Sequence, residues 1–178
     1  MSSPHKCRAL RFLQFTFAVL LALSYTFSFG AQKDGASPSV RVARLALEVE
    51  RACAVRAVKE LQHSYAQYAQ FGLWSDMASL FAESAEFVNG KETIQGREAI
   101  GDYLLTKLGA GKQGLSVGEL RAQLAVRPLV NLSADGKSAK GRWWEFSMLG
   151  RTGVSAEWAA GIYANEYIKE PGVWKIYR

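Results

Sequence analysis

Histidine and cysteine are the scarcest resources of this 178-residue chain: two of each, with only four prolines. Cys7 lies near the start and Cys53 is alone in the remainder, so no disulfide framework holds the later part together. Cys53 falls on a helical pattern and reads as a buried, inert thiol. No HExxH, no paired CxxC and no acidic cluster occurs, so the sequence offers no metal set and no cofactor is expected. No GxSxG nucleophile elbow is present. The stretch Gly109–Gly114, GAGKQG, lacks the GxxxxGK[ST] spacing of a phosphate loop, follows a helix rather than a strand, and has no Ser or Thr after its lysine.

What is there divides at about residue 30. Lys6, Arg8 and Arg11 precede an almost wholly apolar run, Phe12 to Phe29, and Ser28 and Gly30 supply small residues before a cut at Ala31. This is the layout of a secretory signal peptide over residues 1–30, which makes the protein exported, periplasmic or secreted. The alternative is an uncleaved anchor over residues 12–29, since about 18 apolar residues just span a bilayer. Cleavage would remove three basic residues and no acidic ones, taking 22 Lys+Arg to 19 against 16 Asp+Glu, or +3. No basic run remains to suggest a nucleic-acid partner. Asn131-Leu132-Ser133 is a glycosylation sequon, meaningful only in a eukaryotic secretory route.

Residues 31–45 read as a linker, polar and carrying Gly35 and Pro38. Residues 46–178 form one domain. Ala54, Val58, Leu61, Tyr65 and Tyr68 recur every three or four positions and predict a long helix over 46–70, ended by Gly72. A short helix follows over 74–81, then a hairpin over 85–95 turning at Asn89-Gly90, then a helix over 97–108. Residues 109–118 make a Gly-rich loop, long enough for a lid or rim. Four strands are expected over 123–132, 138–148, 155–168 and 173–177, with Asp135-Gly136, Gly150–Gly153 and Pro171-Gly172 at the turns. The class is α+β, three N-terminal helices against a curved, mostly antiparallel sheet.

Four phrases in this order, YAQYAQFGLWSDMASLFAESAEF, GREAIGDYL, GKSAKGRWWEF and GIYANEYIKEPGVWKIYR, resemble the SnoaL-like families of the nuclear-transport-factor-2-like superfamily, over roughly residues 50–178. The resemblance implies a cone with an internal pocket. It also implies metal-free acid/base chemistry of the lyase or isomerase kind on a small, largely apolar or aromatic molecule. The alternative is a non-catalytic interaction module that forms a homodimer through the open sheet face. The chain stops at Tyr177-Arg178, within what the resemblance makes the last strand, and so reads as truncated.

The dehydratase-type members place an Asp and two His in the pocket. The matching positions here are Gln70, Gln123 and Trp143, and the lone His63 of the later chain lies off the Tyr65/Tyr68 stripe, as a solvated side chain would. That mechanism does not carry over. Glu145 and Glu157 are the candidate catalytic carboxylates. Strand alternation puts Trp143 and Glu145 on one face and Trp144 on the other, and puts Glu157 on the face of Gly161, Tyr163 and Asn165. Asp76 more simply supports the first turn of the short helix. Tyr65, Trp144, Tyr163 and Asn165 are the candidate substrate-binding residues, while Phe81 and Trp174 read as structural.

Overall fold

The computed structural model describes residues 37–178. The export signal or anchor, and the linker up to residue 36, lie outside them. No helix among the described residues is long and apolar enough to cross a membrane.

Helix α1 spans Pro38–Phe71 and so begins well before residue 46. Pro38 sits at the first helical position, where its fixed φ and missing N–H suit a helix start. Residues 38–45, which read as linker, are helical. Further along, α1 turns one stripe inward: Ala54, Val58, Gln62, Tyr65, Ala66 and Ala69 are buried at spacings of one, three and four. Cys53 is one position off that stripe and is exposed, which overturns its reading as a buried thiol.

The end of α1 is built by Gly72. Its φ of +68° is the left-handed conformation of a Schellman cap. Leu73 N–H donates to the Tyr68 carbonyl at 2.9 Å and Gly72 N–H to the Ala69 carbonyl at 3.2 Å. A short helix α2, Trp74–Ser79, follows, with Asp76 in its first turn. The hairpin β1 (Glu86–Asn89) and β2 (Glu92–Gln95) forms its own two-stranded sheet. Helix α3, Arg97–Tyr103, runs on into a wider π-turn over Leu104–Leu108.

The main sheet has four antiparallel strands in the order β3-β4-β5-β6: Glu119–Leu132, Ser138–Arg151, Ser155–Glu170 and Val173–Ile176. Its strands are longer than the sequence predicts at three ends, because pairing runs through Glu119↔Arg151 and Glu170↔Val173. The β3–β4 register shifts between Val126 and Leu129, where Arg127 has φ +52°. Pro128 cannot donate to the ladder there, and the resulting bulge bends the strand on an edge of the sheet. The buried core joins α1 (Val58, Tyr65), α2 (Trp74, Met77), Phe81, Ile100 and Leu104 to Tyr167, Trp174 and Ile176 of the sheet.

A Cβ at residue 72 would lie 2.8 Å from the Gly114 backbone, besides forcing a side chain into the left-handed region. Gly72→Ala is therefore expected to cost roughly 1–3 kcal/mol, read as a lower urea midpoint with an unchanged slope. An alanine variant as stable as the parent would remove this account of the helix end.

Candidate functional site

Alternation along the paired strands gives the sheet two faces of different chemistry. Opposed residues share a face, so Gln123↔Ser147, Glu145↔Gly161, Trp143↔Tyr163 and Gly141↔Asn165 look the same way, toward α1. Between this inner face, α1 and the hairpin lies a cavity of about 560 Å³, within the range of small-molecule sites. Its apolar wall comes from Tyr65, Met77, Phe81, Phe87, Leu108 and Ile176. Tyr65 meets Phe81 edge-on at 6.1 Å and Tyr163 at 5.9 Å, and Phe81 meets Phe87 at 5.9 Å. Phe81 is thus cavity wall as well as core.

Of the candidate site residues, Glu145, Tyr65, Tyr163 and Asn165 come together on this cavity. Trp144 does not. It faces outward, 51% exposed, so it is no substrate-binding residue. The adjacent Trp143 takes the inner place and is fully buried. Trp158 is 73% exposed on the same outer face. Glu157 has the inward parity but sits six residues from Tyr163, about 20 Å along the strand. It is exposed and lines a separate cleft beside the Gly-rich loop, so it is not a base for this cavity. His63 is exposed, edge-on to Trp143 at 5.9 Å.

Hydrogen-bond polarity fixes the polar groups of the cavity floor. Trp143 Nε1 can only donate, and it donates to the Tyr167 hydroxyl at 2.9 Å. That hydroxyl therefore gives its own proton to Gln62 Oε1, at 2.8 Å. Gln62 Oε1 is an acceptor, so Asn165 must present its Nδ2, at 2.9 Å, and turns its carbonyl oxygen elsewhere as an acceptor. A second group of polar side chains gathers at the carboxylate. Gln123 Nε2 donates to the Tyr163 hydroxyl at 2.7 Å, and that hydroxyl lies within electrostatic reach of Glu145 and Tyr65. Opposite Glu145, Gly161 has no side chain, and a Cβ there would lie 3.6 Å from Glu145 Oε2.

Two residues of the site have roles that the sequence does not announce. Gln123, notable in the sequence only as the place of a missing His, is the donor that orients Tyr163. Arg121 also lines the cavity. Its signal is present, since it shares the parity of Gln123, but the sequence places the start of β3 only at residue 123. Among the described residues, no group of three His, Cys, Asp or Glu side chains is placed to hold a metal.

Burial raises the Tyr65 and Tyr163 phenols well above the ordinary range, with the charge of Glu145 adding to both. Burial likewise pushes Tyr167 up to about 12, against the opposing hydrogen bonds of Asn165 and Trp143. A group whose pKa is higher folded than unfolded stabilises the fold fully below its unfolded value and ceases to do so as pH rises through its folded value. Stability should therefore be insensitive to these tyrosines at neutral pH and fall from about pH 10, the unfolded tyrosine value, toward 12. Tyrosinate absorbance and circular dichroism followed together check this. Smooth ionisation of every tyrosine near pH 10 with the fold intact would contradict it.

Comparison with known proteins agrees with this architecture. The profile of the SnoaL-like domain matches residues 50–178. A candidate scytalone dehydratase from Novosphingobium aromaticivorans is similar in structure at 18% identity, with a TM-score of 0.62 over 74% of this chain and 84% of that one. LinA is similar at 17% identity and a TM-score of 0.62, over 73% and 85% of the two chains. A single-residue variant of Rv3472 from Mycobacterium tuberculosis, a protein of unknown function, is similar at 21% identity and a TM-score of 0.57, over 74% and 72%. No curated protein sequence matches the chain. The chain belongs to the SnoaL-like domain family.

Proposed function

We propose that the cavity binds a small, largely apolar molecule and that Glu145 carries metal-free proton transfer on it, of the lyase or isomerase kind. The observation that carries this reading is the placement of the Glu145 carboxylate on an aromatic cavity, beside a phenol already oriented by Gln123. A general base must reach the substrate's proton, and an ionised carboxylate offers acceptor oxygens only. Tyr163 accepts from Gln123, and its one proton can pass from the neighbouring Glu145 to a bound substrate as hydrogen-bond donor. Held protonated by burial, it can give a hydrogen bond to a substrate carbonyl oxygen while Glu145 removes a proton from the adjacent carbon. Charge developing on that oxygen would then meet a donor already in place. LinA and the candidate scytalone dehydratase support the reading only through a shared fold. Export to the periplasm or outside is part of the proposal, and rests on the composition of residues 1–30.

Proton exchange at the carbons flanking the carbonyl of 2-tetralone in deuterated water, followed by NMR, tests the chemistry. The protein should accelerate it, and Glu145→Gln, similar in size and unable to act as base, should lose about 10²–10⁴ of that acceleration. No acceleration over buffer, or an unchanged rate in the Glu145→Gln variant, would remove the catalytic assignment.

A second reading is favoured by the outer sheet face. Leu124, Trp144, Met148, Trp158 and Ile162 are all exposed there, and a contiguous apolar face of this kind commonly marks an interaction surface. On this reading two copies pair through their sheets. Light scattering on the purified protein should then give a dimer mass, and Trp158→Glu should return it to the monomer with the fold unchanged. A monomer at all accessible concentrations would end this reading.

A further inference from the structure

Arg121 is a cation taken partly out of water, and among the described residues no carboxylate is in ion-pair contact with it. Its guanidinium lies 5.1 Å from the centre of the Trp74 ring, and its one hydrogen bond is a long one, 3.4 Å, to the Leu108 carbonyl. No ion pair to it occurs among the described residues. Glu119, the nearest acidic residue in sequence, is held instead by Arg151 at 2.6 Å and by Ser116 N–H at 2.9 Å. Burial lowers the Arg121 pKa from its ordinary value, with partial compensation from the charge of Glu119. A desolvated charge that is only partly compensated is a standing cost to the fold, and an anion arriving from solution would relieve it.

The register says where such an anion would lie. Arg121 is opposite Leu149, and Glu145 is four residues further along the same strand, about 13 Å away. Arg121 and Glu145 thus lie well apart on a cavity whose lining also carries Glu86 and Arg178. We propose that Arg121 binds the carboxylate of an apolar monocarboxylic acid, whose ring or chain fills the cavity toward Glu145. This rests on the reading of the cavity as a ligand site. Arg178 also borders the cavity, but it is exposed and answered by Glu86 at 3.6 Å. A planar guanidinium suits a carboxylate better than a point charge does.

Calorimetric titration with naphthalene-1-acetate and its uncharged analogue naphthalene-1-acetamide tests the proposal. The acid should bind about tenfold more tightly than the amide, the worth of one charge-assisted hydrogen bond, and added KCl should narrow the gap. Arg121→Gln should bring the two within about twofold, Arg121→Lys should keep part of the preference, and Arg178→Gln should leave it intact. Equal binding of both compounds by the parent protein overturns the proposal while leaving the ligand cavity standing. So does a preference that persists in the Arg121→Gln variant or vanishes in the Arg178→Gln variant. Binding of neither compound counts against the cavity reading as well. If the Arg121→Gln variant fails to fold, the salt dependence of the parent protein and the Arg121→Lys variant decide the matter.

Discussion

The site depends on one donor that has no alternative. Trp143 Nε1 cannot accept a hydrogen bond, and at full burial it cannot be left without an acceptor. Its bond to Tyr167 sets the direction of every hydrogen bond that follows, through Gln62 to Asn165. This chain ties the second and third strands of the sheet to the long helix in a core that is otherwise apolar. It leaves one loose end. Gln62 Nε2 is buried and has no partner, the sole such side-chain atom among the described residues. The network is thus polar enough to demand one arrangement of helix on sheet, and that arrangement brings Tyr65 against Tyr163.

The aromatic rings and the carboxylate divide the labour of the cavity. The rings meet at steep angles, so they form a wall with little freedom to collapse inward when the cavity is empty. Glu145 sits among them opposite Gly161 of the neighbouring strand. Its nearest chemistry is the phenol of Tyr163, a group that stays protonated across the neutral range. Base and hydrogen-bond donor therefore stand next to each other.

Much of this is legible in the residues. Spacing gives the inward stripe of the long helix, and alternation puts Glu145 with Trp143 and Asn165 with Tyr163. What alternation cannot supply is which face is covered. Trp143 and Trp144 are equally large and apolar, and only the helix lying on one side tells the inner from the outer. Nor does it supply depth. Glu157 has the correct parity and lies level with Leu149 and Arg121, but on its strand that row opens onto the neighbouring cleft. Cys53 shows the same limit on a helix, where one step around the circumference separates core from solvent. Arg121 is hidden by a strand boundary placed a few residues late, since the alternation that names Gln123 extends back to it unchanged.

The Gly-rich loop carries a last consequence. Its glycines suggest a cover that swings, yet its middle is fastened. Lys112 O receives Trp74 Nε1, Gln113 Oε1 receives Trp74 N–H, and Gly114 N–H reaches the Gly72 carbonyl. What looks like one long tether is two short ones, and short tethers move little. On the cavity itself, Val88 and Asn89 of the hairpin and Arg178 stand exposed. The doorway would be a two-stranded ribbon rather than the loop that composition singles out, and what passes it would be selected by the tight turn from Asn89 to Glu92.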